Sequence, residues 1–357
     1  MILLRCPRCD QVAELDDLMC CQCGAELGFH PPSLTMVTCG PTGTTTDDGR
    51  WVWCSQRDRL DCNWLRDLAL DTEECFACHV VRRRPEADQD SAWEKLAQAS
   101  SPKRRLLVQL AVLGLPVETF RDQKGGLAFD LLSSKSSGEN VTIGHSNGVI
   151  TIDLAESLDD HREKLRVQLG EPYRTMLGHF RHEVGHYYQW KLVEQTDFIG
   201  ESRALFGDER ASYSDALDRH YAQGAPEDWH ESFISEYATM HPWEDFAETF
   251  AHYLHITDTL STVALGGVVL QGERSDGVLE RDVVPRVSYA EASTEEMVDD
   301  WHWLSLLLNR ASRAMGRRDL YPFTLPEPVV RKLDFVHRVV GATGRVTDRP
   351  ILIGAAE

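Results

Sequence analysis

No apolar run in this 357-residue sequence approaches the roughly 18 residues that a membrane-spanning helix requires. The opening Met1-Ile2-Leu3-Leu4-Arg5-Cys6 is too short in its apolar part for a secretory leader, so a cytoplasmic chain is expected. Cysteine is missing after residue 78, although ten are present before it. Lysine is missing from residues 1–84, which hold nine arginines against thirteen aspartates and glutamates. Positive charge is scarce throughout: 37 Lys and Arg face 57 Asp and Glu, a formal net charge of -20. Phosphate binding needs clustered Lys and Arg, so neither nucleic acid nor an anionic membrane is an expected partner. There is no internal repeat and no long low-complexity tract.

What remains is a chain with 42% hydrophobic residues, 9 Trp and 12 Phe, enough for two domains or one large domain with an appendage. Without a leader, disulfides are a poor use for the cysteines, and their pairing as Cys-x2-Cys points to metal. Cys6, Cys9, Cys20 and Cys23 form two knuckles, tight turns that each present two sulfurs; four thiolates in a tetrahedron suit Zn²⁺. Cys54, Cys62, Cys75 and Cys78 are a second candidate set with one knuckle, buried free thiols being the alternative. Cys21 and Cys39 fall outside either spacing. Gly40-Pro41-Thr42-Gly43 and the following Thr44–Gly49 run read as a loop between two small units.

Arg82-Arg83-Arg84-Pro85 reads as a solvated linker edge, followed by helical spacing of Trp93, Leu96, Leu106, Leu107, Leu110 and Leu113. Asn147-Gly148 between the β-branched runs 141–144 and 149–152 signals a hairpin. From about 172 onward the pattern is helical, with Pro172 suited to a first turn and Tyr173, Met176, Leu177, Phe180 and Val184 at apolar spacing.

On that helix His182 and His186 stand one turn apart on one face, where both imidazoles can grip one ion. Glu183 lies about 100° around the axis, in reach of a metal-bound water. A catalytic zinc needs a third protein ligand and one open position. The run His241-Pro242-Trp243-Glu244-Asp245-Phe246-Ala247-Glu248-Thr249-Phe250-Ala251 supplies a helix start at Pro242 and an apolar face of Phe246, Ala247, Phe250, Ala251 and Leu254. Glu244 and Glu248 border that face at i and i+4, and carboxylates so close to a core stripe want a cation or a donor. We assign Glu244 as third ligand and Glu248 as acceptor for a ligand imidazole N–H, a partner that orients the ring. The spacing alone leaves the reverse assignment open. His252 and His255 read as ordinary helix residues.

The runs 171–188 and 241–255, with Cys62-Asn63-Trp64 and Phe206-Gly207-Asp208-Glu209-Arg210, resemble a bacterial family of zinc-binding metallopeptidases that carry an N-terminal zinc ribbon. The resemblance covers nearly the whole chain. The active-site pattern is also similar to the glutamate-zincin group, and Glu244-x-Phe-Ala-Glu248 to the third-ligand helix of the anthrax lethal factor type. That likeness implies Glu244 as the ligand, and by its spacing it implies Tyr237 as a catalytic tyrosine, a buried structural tyrosine being the alternative.

The expected class is α+β: an N-terminal double zinc-ribbon module (1–84, two four-cysteine sites), a linker or helix (85–100), a mainly helical zincin-like metallopeptidase domain with a small edge sheet (101–340), and a C-terminal tail (341–357). The expected cofactor is Zn²⁺, one catalytic ion and one or two structural. The expected activity is hydrolysis of a peptide or protein by a zinc-bound water that Glu183 activates, with Tyr237 donating to the oxyanion and strand 149–152 adding a substrate strand. The ribbon could dock a protein partner. The alternatives are a non-catalytic zinc-stabilised scaffold, a regulator with nucleic-acid-associated ribbons, and a hydrolase of non-peptide amides. The helical stretch 329–340 has no functional reading.

Overall fold

The computed structural model describes residues 2–40, 49–134, 141, 143–154 and 175–344. The expected loop at 41–48, the helix-start residues Pro172 and Tyr173, and most of the tail beyond 344 lie outside the described residues. The chain packs as two compact units, Ile2–Arg162 and Glu163–Ala342. The first holds the described strands and the second is helical, in keeping with the α+β class.

The first unit opens on three antiparallel ribbons. They pair β1 (Leu4–Arg5) with β2 (Val12–Ala13), β3 (Leu27–His30) with β4 (Thr35–Thr38), and β5 (Trp51–Trp53) with β6 (Leu65–Asp67). Strands this short bury little apolar surface, so the module needs a staple. The cysteine turns supply its geometry. Asp10 and Gly24 donate their N–H groups to the Cys6 and Cys20 carbonyls at 2.9 and 3.0 Å, and both residues have positive φ. That left-handed turn folds each Cys-x2-Cys back over one point.

Two short helices, α1 (Arg57–Leu60) and α2 (Phe76–His79), follow Cys54 and Cys75. The long helix α3 (Asp90–Val112) packs against both. Most of the expected linker or helix 85–100 is the start of α3, whose buried Leu96, Leu106, Leu107 and Leu110 match the expected spacing. Two buried cations tie α3 to the residues around it: Lys103 donates to the Ala77 carbonyl of α2 at 2.7 Å, and Arg104 to Asp16, which follows β2, at 2.8 Å. Arg82 and Arg84 are likewise not a solvated linker. They pair with Asp130 and Glu74 because β7 (Val81–Arg83) enters a sheet there.

That sheet has the order β7, β8 (Ala128–Leu132), β10 (Val149–Asp153), β9 (Gly144–Ser146), with β8 parallel to both β7 and β10. It falls in the first unit. The Asn147-Gly148 hairpin forms, both residues having positive φ as a two-residue turn of that hand demands. Its first strand is Gly144–Ser146, later than the expected 141–144, and residue 142 is not described. β10 lies between β8 and β9, so both its edges are occupied and the expected addition of a substrate strand at 149–152 is ruled out.

The second unit contains α4 (Met176–Tyr188), a π-turn (Gln189–Val193), α5 (Ile199–Phe206), α6 (Tyr213–Gln223), α7 (Pro242–Leu265), α8 (Thr294–Ala314) and α9 (Glu327–Gly344). Thr175 caps α4 by accepting the Gly178 N–H, and His241 caps α7 by accepting the Trp243 N–H, with Pro242 in the first turn. The buried face of α7 carries Phe246, Ala247, Phe250, Ala251 and Leu254, as the spacing predicts. Phe250 stacks on Tyr188 of α4, and Phe246 meets Phe206 of α5. Among the described residues no helix is long and apolar enough to cross a membrane.

A Cβ at Gly148 would stand 2.5 Å from the Gly125 carbonyl oxygen, at a φ of +86°. Gly148→Ala is expected to destabilise the first unit by about 1–3 kcal/mol, read as a lowered thermal midpoint with unchanged α4–α7 helix content.

Candidate metal centres and active site

The ten cysteines are free. Four sulfurs held about 2.3 Å from one tetrahedral ion stand about 3.8 Å apart. Cys6 and Cys23 are 3.7 Å apart, and Cys9 and Cys20 3.6 Å. In the second set Cys62 lies 3.6 Å from Cys75 and 3.7 Å from Cys78. These spacings match a tetrahedral edge and are far too long for a disulfide. Both sets gather as sequence reasoning expects, the second wholly buried. In it the Cys54 sulfur accepts N–H groups from Gln56 and Cys75, as a thiolate ligand would. Cys21 and Cys39 stay outside both, and burial pushes the Cys39 thiol up to about 12.

In the second unit α4 lies across α7 so closely that a Cβ on Gly185 would sit 2.9 Å from the Ala247 Cα. That approach brings the imidazoles of α4 to the carboxylates of α7. His182 Nε2 is 2.9 Å from Glu244 Oε2, His186 Nε2 is 3.4 Å from the same oxygen, and the two nitrogens are 3.2 Å apart. Ligands about 2.0–2.1 Å from a tetrahedral ion stand about 3.3 Å apart. The triangle therefore fits a zinc ion.

The proton inventory agrees. Glu248 can only accept, so His182 donates from Nδ1 to Glu248 Oε1 at 2.7 Å. Its Nε2 then turns a lone pair toward a carboxylate and a second imidazole, an arrangement that demands a cation. Without a metal that cation is a proton: burial opposes the charge on His182, but hydrogen bonds to Glu244 and Glu248 hold its pKa well above the ordinary imidazole value. Burial likewise opposes the charge on Glu244, yet His186 and His182 hold it well below the usual carboxylate range.

Glu183 is buried. Its Oε1 is 3.2 Å from His179 Nε2, and its Oε2 has no hydrogen-bond partner among the described residues. Burial would raise its pKa, but His179 and the two site imidazoles outweigh that and keep it ionised. Tyr237 is half-buried, with its ring centre 5.8 Å from that of His182. Burial, then the charge of Glu244 and the neighbouring Tyr213, push its hydroxyl well above the ordinary value, so it stays protonated.

Several partners have no sequence signal. Tyr213 on α6 donates to Glu244 Oε1 at 2.9 Å, and Ser235 donates to Glu248 Oε2 at 2.7 Å. Both arrive from outside the two motif helices, at no recognisable spacing. His252 and His255 do not join the cluster. His252 bonds to the Tyr321 hydroxyl and burial lowers it to about 4, while His255 accepts from Arg181 at 2.6 Å.

The sequence model of a family described as "Putative zinc-binding metallo-peptidase" matches residues 89–339, and that of a zinc-ribbon domain matches residues 3–89. Uncharacterized proteins of Mycobacterium tuberculosis and Mycobacterium bovis are each 44% identical to this chain over 337 residues, 94% of this chain and 94% of theirs. No solved structure matches.

Gly185 is the residue that sequence reasoning passed over although a signal was present: glycine in a helix interior costs about 1 kcal/mol relative to alanine and so marks close packing. Gly185→Ala is expected to force α4 and α7 apart by tenths of an ångström, at about 1–3 kcal/mol. Zinc affinity at the His182 site should fall about tenfold or more, as measured by competition with a chromophoric chelator, while the cysteine-bound metal is unaffected.

Proposed function

The chain belongs to the zinc-binding metallo-peptidase family, and from that premise we propose that its second unit is a zinc-dependent peptidase. In this reading His182, His186 and Glu244 hold one ion, Glu183 is the general base, and Tyr237 donates to the developing oxyanion. The two four-cysteine clusters hold structural zinc. The observation that carries the reading is the partly buried His182–His186–Glu244 triangle at tetrahedral spacing, with a Glu183 oxygen on the histidine helix that has no partner among the described residues.

Zinc, when bound, supplies a Lewis acid that acidifies water and polarises a peptide carbonyl. The rest is done by side chains. Ionised Glu183 accepts the proton of the attacking water at its free oxygen and returns it to the leaving amine. His179 holds the other oxygen and so fixes the rotation of the carboxylate. Glu248 fixes the tautomer of His182 and raises the basicity of Nε2. Tyr213 occupies Glu244 Oε1 and leaves Oε2 for the ion. Tyr237 keeps its proton and can donate it as a hydrogen bond to negative charge on the scissile oxygen. A non-catalytic scaffold would use the ligands but has no need of an ionised carboxylate with a free oxygen beside them, and this favours hydrolysis.

Elemental analysis should find about three zinc ions per chain, falling to about two in His182→Ala, one for each separable cluster. Glu183→Gln should keep the wild-type zinc content and lose about 10²–10⁴ in turnover of unstructured peptides followed by mass spectrometry. Wild-type turnover in that variant would rule out the general base. Tyr237→Phe should lower kcat about 10²-fold with little change in KM or zinc content; an unchanged kcat would leave Tyr237 a packing residue.

A further inference from the structure

Lys332 on α9 is a buried cation, remote in sequence from every residue of the site. Its Nζ donates to Asp245 Oδ2 at 2.7 Å and to the Ser232 carbonyl at 2.8 Å, and lies 4.2 Å from the centre of the Phe233 ring. Both anchors adjoin the candidate centre. Asp245 follows Glu244 directly, in the first turn of α7. Ser232 and Phe233 run straight into Ser235, the donor to Glu248, and then into Tyr237. One ammonium therefore fastens together the two segments that carry Glu244, the partner of Glu248, and Tyr237.

A buried ion pair is a weak source of stability, since an apolar pair of similar size often does as well. What it supplies is position, because an ammonium with two charged or carbonyl acceptors at hydrogen-bond distance tolerates little sliding. We infer that Lys332 is a positioning residue for the metal site. It sets the register of the first turn of α7 against the segment 232–237, and so orients Glu244 and the Ser235–Glu248–His182 chain. The inference rests on the proposed reading of the site as a metal centre, and it gives the C-terminal helix a part in that centre.

Lys332→Met alone would leave Asp245 buried without a partner and could fail to fold for that reason alone. The test is the paired variant Lys332→Met with Asp245→Asn, which removes both charges in the full-length chain. Zinc affinity is titrated against a chromophoric chelator, and the relevant ion is the one that His182→Ala loses. The paired variant should melt within a few degrees of wild type, keep its cysteine-bound zinc, and bind the site ion about 10–100-fold more weakly. Wild-type affinity in a folded paired variant overturns the inference and leaves the peptidase reading standing. If the paired variant does not fold, Lys332→Arg carries the test. It keeps the charge but displaces the donor, and should weaken site zinc several-fold; unchanged affinity again overturns the inference. If His182→Ala loses no zinc from the otherwise wild-type chain, the metal reading falls, and this inference falls with it.

Discussion

Everything chemical in the second unit depends on how closely α4 approaches α7. At Gly185 the helices meet with no side chain between them, so the imidazoles of His182 and His186 reach Glu244 across the interface. A separation larger by the width of a methyl group would draw Glu244 away from the two imidazoles, which stay together on α4. Phe180, Val184, Tyr188, Phe246 and Phe250 hold the contact by burial around it. Packing of the apolar faces is therefore the force that assembles the polar site.

The polar groups so assembled are satisfied only as a set. Glu244 and Glu248 each use one oxygen for a hydroxyl, of Tyr213 or Ser235, and the other for His182. Glu183 on α4 differs from them: its Oε2 has no hydrogen-bond partner among the described residues. A buried carboxylate is costly unless it is paired, so an ionised one with a free oxygen beside the metal-ligand candidates is the feature that the proposed general base requires.

The first unit solves a related problem with sulfur. The strands of its three ribbons are too short to carry a core of their own, and two clusters of four cysteines take that place. The fully buried cluster lies under α3, which brings Lys103 and Arg104 into the same interior. Cys62 there is held well below the ordinary thiol value, chiefly by its hydrogen bonds to the other three sulfurs, and its charge favours the charge of buried Arg104 in turn.

The sequence by itself determined the features that depend on local spacing. The cysteine knuckles, the pairing of His182 with His186 on one helix face, the apolar stripe of α7 and the Asn147-Gly148 turn all follow from fixed periods of the backbone, and these were legible. So was the fold class, since it sums such signals. Contacts made across large gaps in sequence carry no period. Tyr213 and Ser235 as partners of the carboxylates, and Lys332 reaching Asp245 from α9, were invisible for that reason. The same limit explains the strand order of the sheet and the occupied edges of β10, because strand order is set by which segments pair and not by what any one segment prefers. Tertiary structure alone decided that Tyr213 takes one oxygen of Glu244 and leaves the other to the imidazoles, and it let the imidazoles reach that oxygen through a glycine whose value lies in the side chain it lacks.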